Sequence, residues 1–186
     1  MNELQSYEAI VPKKGKDALL RKGAWILGYI FWFSLFFVWS TLRDLDLPIL
    51  ILGILSTVAV ILLTWKYAQI EYEYTLAGGS FFLAKIYGKR KRKTVLEANI
   101  KHARLIAPYT QDYVNQAESL SPKEILWAVS SPSAKNIWML LWDDEEQDKR
   151  ILLMFEAEER SLRILRQENP RAVAREALTF FKKTAT

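Results

Sequence analysis

Ala24–Leu42 reads AWILGYIFWFSLFFVWSTL and Leu47–Trp65 reads LPILILGILSTVAVILLTW; each is nineteen residues without a charge. At about 1.5 Å rise per residue, such a helix is roughly 28 Å long, close to the hydrocarbon thickness of a bilayer. A soluble domain of this size could hardly cover two such helices on all sides. The pair is therefore predicted to cross a membrane. A cleaved signal peptide fits poorly, because the first stretch begins late, is long, and is followed at once by a second. The link Arg43-Asp44-Leu45-Asp46 forces an antiparallel hairpin. Asp46 is placed to cap the second helix, and Pro48 lies in its first turn, where a missing N–H does no harm. Trp25, Trp39 and Trp65 lie near the span ends, as interfacial aromatics do.

Flanking charges set the orientation. Residues 1–23 form a basic segment carrying Lys13, Lys14, Lys16, Arg21 and Lys22, and Lys66 follows the second span. The hairpin loop sets one Arg against two Asp. The positive-inside rule then puts both termini in the cytoplasm and the loop outside. What remains, 66–186, is about 120 residues with 20 basic against 16 acidic, enough for one small core.

Composition removes most catalytic chemistry. The 186 residues carry a net charge of +5, no Cys and one His. Disulfides, thiolate metal sites, iron–sulfur clusters, Cys nucleophiles and multi-His metal sites are excluded. There is no GxSxG, Walker A, GxGxxG or HExxH pattern. No metal and no cofactor is expected. Neither span holds an ionisable residue, which weighs against a small transporter.

The segment after the spans reads as strands. In Tyr67–Leu76, Ile70, Tyr72 and Tyr74 alternate with Glu71, Glu73 and Thr75, a period of two. Ala77-Gly78-Gly79-Ser80 is a hairpin turn, and Phe81–Tyr87 the return strand. Gly88 opens a second turn, Lys93–Glu97 is a third strand, and Lys101–Ala107 a fourth that ends before Pro108. A long loop with a helical turn around Asp112–Glu118 follows. Ile125, Trp127 and Val129 share a face of the next strand. Ile137–Trp142 and Arg150–Phe155 form a hairpin around Asp143–Asp148, and their unbroken apolar runs, IWMLLW and ILLMF, suggest cover on both faces. Glu158–Arg166 is a helix with acids first and arginines last. Asn169-Pro170 reads as the N-cap and first residue of a last helix with a Val173, Ala177, Leu178 and Phe181 stripe.

Seven short strands ending in helix favour an α+β membrane protein: a two-helix transmembrane hairpin (24–65, spans 24–42 and 47–65) and a cytoplasmic domain (66–186). An antiparallel sheet or small barrel plugged by the C-terminal helix would be pleckstrin-homology-like (PH-like).

The stretch YEYTLAGGSFFLAKIYGKRKRKTVLEANIKHARLIAPY also resembles an uncharacterised domain-of-unknown-function family of two-span membrane proteins from Firmicutes-type bacteria. The matching features are Glu71–Tyr74, Gly78-Gly79, Lys85-Ile86, Lys89–Arg92 and Ala107–Tyr109. Phe155-Glu156 and Asn169-Pro170-Arg171 before Val173 match near the end, and a basic segment precedes the first span. Phe81–Ala84 departs from the pattern, where the family usually has a more acidic strand. The resemblance implies a bacterial membrane location and a PH-like cytoplasmic domain, and no activity.

One constellation stands out: Lys89, Arg90, Lys91, Arg92 and Lys93 in a row. A solvated turn is the plain reading, since charge runs are usually solvated faces. The functional reading is contact with anionic lipid headgroups. A strand that leaves the membrane near Tyr67 and a second that returns would bring the run back to the bilayer. Nucleic acid fits less well, because no aromatics interleave with the run. Asp143, Asp144, Glu145, Glu146 and Asp148 lack the spacing of a calcium loop and read as a solvated tip. His102, in an expected strand, has no partner nucleophile or carboxylate that can be named. Gly53 and Thr57 form a small-xxx-small pair that could pack the hairpin or a second copy. The expected function is a membrane-anchored, non-catalytic interaction module binding a membrane or cytoplasmic protein partner, an anionic lipid surface, or both. A membrane-bound enzyme or a transporter-associated subunit is the alternative.

Overall fold

The computed structural model describes residues 6–43, 46–144 and 149–177. The two apolar stretches form helices α1 (Lys16–Arg43) and α2 (Asp46–Thr64). The segments Lys16–Leu42 and Leu47–Tyr67 are long and apolar enough to cross a membrane, and only 11% and 6% of their most apolar stretches are buried by protein. Leucines, isoleucines and phenylalanines along both helices are left bare, a surface that water would not tolerate and lipid would. The side chain of Asp46, the expected cap, lies outside the description, as do the tip residues 145–148 and Leu178 and Phe181 of the expected stripe.

Eight strands follow the sheet periodicity: β1 (Ser6–Pro12), β2 (Ile70–Ala77), β3 (Ser80–Tyr87), β4 (Lys91–Asn99), β5 (Ala103–Pro108), β6 (Glu124–Ala128), β7 (Ile137–Asp144) and β8 (Lys149–Glu156). They form two four-stranded sheets, ordered β1-β2-β3-β4 and β5-β7-β8-β6. Helices α3 (Gln111–Ser119) and α4 (Glu159–Glu168) complete the described elements. The chain divides into two compact units. A hairpin unit holds Lys13–Glu71 and Ile86–Arg92; a sheet unit holds Met1–Pro12, Tyr72–Lys85 and Lys93–Thr186.

In the sheet unit, β7 and β8 pair antiparallel from Ile137↔Glu156 to Asp144↔Lys149, the expected hairpin. Both faces of this sheet are buried, as the unbroken apolar runs require. Its inner face meets the first sheet and α4: Tyr74, Phe81 and Leu83 pack with Leu140, Leu153, Phe155, Leu162 and Leu165. The rings of Tyr74, Phe81 and Phe155 form a triad with centroids 5.2 to 6.1 Å apart. Its outer face buries Met139, Leu141, Leu152 and Met154 with Ala117 of α3, against which Tyr113 and Val114 pack. The α+β expectation holds, with α4 as the helix packed on the sheets.

Five local expectations change. First, residues 6–12 of the basic segment are strand β1, an edge of the first sheet. Tyr7 is buried, and Ala9 and Val11 pack against the core, alternating with exposed Ser6, Glu8, Ile10 and Pro12. Second, β6 runs parallel to β8, from Glu124↔Ile151 to Ala128↔Phe155, so the sheet is mixed. Strand β7 pairs along one edge of β8, and β6 joins the other. Third, the sheets do not close into a barrel, because β4 and β6 each end a sheet. Fourth, β5 includes Pro108 as its last residue, opposite Trp138, and His102 lies before it in a 3-10 turn, Ile100–His102. Fifth, Asn169 ends α4 instead of starting a helix. Its side-chain amide donates to the carbonyls of Ile100, Lys101 and Ala103 at 3.0 to 3.2 Å. Hydrogen bonds to three backbone carbonyls outweigh a helix start, and Val173 bridges Ile106 in parallel.

Candidate membrane-facing site

The hairpin unit gathers its basic residues by a chain of short-range causes. α1 and α2 cross as antiparallel neighbours because Gly53 admits Phe36. A Cβ at position 53 would stand 2.7 Å from the Phe36 Cβ. The small-xxx-small pair is thus used inside the hairpin, and the Thr57 hydroxyl donates to the Gly53 carbonyl at 2.7 Å. Tyr29 and Thr64 hydroxyls are 2.9 Å apart, a polar tie between spans. Tyr29 also contacts Trp25 and Trp65, with centroids 5.9 and 6.4 Å away, which groups three aromatics at one end of the hairpin.

That end is where the chain enters α1 and leaves α2. The Lys13 N–H donates to the Ile70 carbonyl at 3.1 Å, so the two flanks are tied together. The turn between β3 and β4 comes to the same place. Gly88 and Lys89 both take positive φ, 57° and 60°, the left-handed pair that matches strand twist in a tight hairpin. The Gly88 N–H donates to the Gln69 carbonyl at 2.9 Å. A Cβ on Gly88 would lie 2.6 Å from the Lys66 Cβ and 2.8 Å from its Cα, so only glycine fits the contact. Tyr67 and Tyr87 meet edge-to-face at 5.7 Å, and the Lys66 ammonium lies 5.1 Å over the Tyr67 ring.

Lys89, Arg90, Lys91 and Arg92 belong to this unit, while Lys93 continues β4 in the sheet unit. All five are exposed. Among the described residues, Lys89, Arg90, Lys91 and Lys93 have no ion-pair partner. The turn therefore presents basic side chains beside Lys66, directly after the second span.

The other candidate residues do not assemble a reactive site. Asp143 accepts hydrogen bonds from the Arg150 and Arg104 guanidinium groups, each at 2.6 Å. The Arg150 bond holds its carboxyl below the usual carboxylate range, with Arg104 adding to the effect against partial desolvation. No group of three or more His, Asp or Glu placed to hold a metal occurs among the described residues. His102 lines a cavity of the sheet unit together with Glu97, Glu124 and Asp144. Sequence reasoning overlooked β1, whose Tyr7-x-Ala9-x-Val11 alternation was the available signal, and this cavity, for which no local pattern exists.

The family described as Bacterial PH-like domain (DUF6106) matches residues 6–175. No curated protein and no solved structure matches the chain. The family match starts at β1, before the spans, which is also where the first sheet starts. The match takes in the sheets and the apolar hairpin that interrupts the first of them, and the chain belongs to the bacterial PH-like domain family DUF6106.

Proposed function

We propose that the protein is a membrane-anchored, non-catalytic interaction module of the bacterial cell membrane. Both termini are cytoplasmic, and the Lys89–Lys93 turn rests on anionic lipid headgroups. One observation carries this reading: the Gly88–Lys89 turn packs against Lys66, at the exit of the second span. A basic side chain near an anionic leaflet gains about 1 kcal/mol. Lys13, Lys14, Lys16, Arg21 and Lys22 flank the entry to the first span, so the orientation that brings the turn to an anionic inner leaflet is also the one the positive-inside rule favours. The family's PH-like character and the absence of a catalytic motif support a non-catalytic role.

The test uses the full chain in lipid nanodiscs. Amide exchange at 88–93 should slow in discs containing phosphatidylserine relative to phosphatidylcholine discs. The difference should shrink as salt rises, because exposed charges are screened within roughly 8–10 Å at 0.1–0.15 M. A variant with Lys89, Arg90, Lys91, Arg92 and Lys93 replaced by Gln should insert normally and show no difference between discs. Equal exchange of the unaltered chain in both discs at low salt would make the run a solvated turn. Labelling of a cysteine placed after Thr186 from outside intact cells would overturn the orientation.

A further inference from the structure

Each sheet of the PH-like unit has an open end. β4 closes the order of the first sheet and β6 that of the second. A cavity of about 630 Å³ opens between them, lined by Val95, Leu96 and Glu97 from β4 and by Glu124 and Leu126 from β6. That volume lies within the range of roughly 300–1,000 Å³ usual for binding pockets. Trp142 and Ile151 contribute further apolar surface, and Asp144 a third carboxyl group.

The opposite edge of the second sheet is treated differently. There the Ile106 N–H of β5 donates to the Ala172 carbonyl, and the Ala174 N–H donates to the Ile106 carbonyl, both at 2.8 Å. The chain after α4 thus covers β5 as a strand would. Among the described residues no such segment lies along β4 or β6. An uncovered strand edge presents unpaired N–H and C=O groups, a template for another strand. Glu97 and Glu124 face this seam one from each edge, both exposed, and neither has an ion-pair partner among the described residues.

We propose that the seam takes an extended segment of a partner protein in which Lys or Arg alternates with aliphatic residues, added as a strand to an open edge. In an extended chain successive side chains point to opposite sides. Along β4 one set meets the face of Leu96 and, across the seam, Leu126, Trp142 and Ile151, while the basic set meets Glu97; Glu124 shares the face of its register partner Ile151 and adds negative charge at the seam. Main-chain hydrogen bonds to the edge supply affinity, and the carboxylates supply the sign of charge that is admitted. A small polycation would satisfy the acids but leave the strand edges and the apolar lining unused. The proposal deepens the interaction-module reading by naming the partner's chemistry, and it uses none of the residues of the basic turn.

The test is binding of a fluorescein-labelled peptide, (Lys-Val)₄ with blocked ends, to the full chain in uncharged detergent micelles, followed by anisotropy. No anionic lipid is present, so the outcome is separate from that of the lipid test. Saturable binding is expected, with none for (Glu-Val)₄. A peptide N-methylated at alternate residues keeps its charge but cannot pair along one edge, and it should bind at least about tenfold more weakly. The double variant Glu97→Lys/Glu124→Lys should lose binding by about tenfold or more while keeping its melting curve, since both side chains are exposed. Glu97→Gln/Glu124→Gln should lie between, which guards against a folding artefact of the reversal. Equal binding by the N-methylated peptide would overturn strand addition. Equal binding by the reversed variant, or no binding of (Lys-Val)₄ at low salt, would overturn the seam as its site.

Discussion

Leucines in the second sheet and in α2 are the same side chain in opposite surroundings. Leu140, Leu141 and Leu153 are 0 to 1% exposed, whereas Leu52, Leu55 and Leu62 are 58 to 77% exposed. Both regions read as nearly continuous apolar sequence. What separates them is length and punctuation. Runs of five or six residues between turns are too short to cross a bilayer and must find protein on both faces. A nineteen-residue run is long enough for lipid to serve as its cover. The membrane therefore replaces, for α1 and α2, the layers that α3, α4 and the first sheet supply to β7 and β8.

The largest test of this contrast is a pair of leucine truncations. Leu153→Ala should cost about 2–5 kcal/mol through lost burial and the cavity left behind. Leu62→Ala, on a lipid-facing surface, should cost under about 0.5 kcal/mol. Denaturant unfolding of the full chain in detergent reads both. Equal losses would mean that α2 is covered by protein in the folded state.

A second pair sharpens the boundary between the regions. Gly78 and Gly88 have nearly the same φ, 59° and 57°, but a Cβ at 78 meets nothing within 4 Å while one at 88 meets Lys66 at 2.6 Å. Gly78→Ala should cost about 1 kcal/mol from backbone strain alone, and Gly88→Ala distinctly more. The excess should appear as faster amide exchange at 66–69 and 86–90. Identical melting temperatures for the two variants would show that the turn does not pack on the span exit.

Within the covered region, polar ties are expected to matter less than apolar volume. The buried Tyr74 hydroxyl donates to the Ala128 carbonyl, linking the two sheets. Burial raises the pKa of this phenol well above its ordinary value, so it remains a donor throughout the stable pH range. Tyr74→Phe should cost about 1–2 kcal/mol, as the carbonyl loses its partner. No change in stability would mean that Ala128 finds another donor.

The smallest effect is the Asp143 pair with Arg150 and Arg104. The folded pKa of Asp143 is lowered from its ordinary value of 3.8. Its contribution is therefore fully present above 3.8 and is lost as pH falls through the lower folded value. Arg104 is 65% exposed, so solvent screening holds the effect to about 1 kcal/mol or less. Asp143→Asn should lower stability slightly at pH 7 and converge with the unaltered protein as pH falls below the lowered folded value. A constant difference across that window would assign the loss to packing.

The sequence by itself determined whatever depends on run length, period or turn chemistry. Two nineteen-residue apolar runs marked the hairpin, alternation marked β2, Gly78-Gly79 and Gly88 marked the turns, and β3 followed as the return strand between them, because each signal is local to its own residues. Asp112–Glu118 and Glu158–Arg166 were legible as helices for the same reason. The basic run was legible as a feature, and strand lengths suggested its return toward the span exit, while its contact with Lys66 came only from the tertiary structure. Only the tertiary structure decided which strands are neighbours. Ser6–Pro12 joins β2 across a 57-residue separation, β6 chooses the free edge of β8 and runs parallel, and Asn169 spends its amide on the Ile100–Ala103 carbonyls instead of a helix start. Such choices are settled by which distant hydrogen-bond acceptors and apolar faces remain unsatisfied once the rest of the chain has packed, and no window of sequence contains that information.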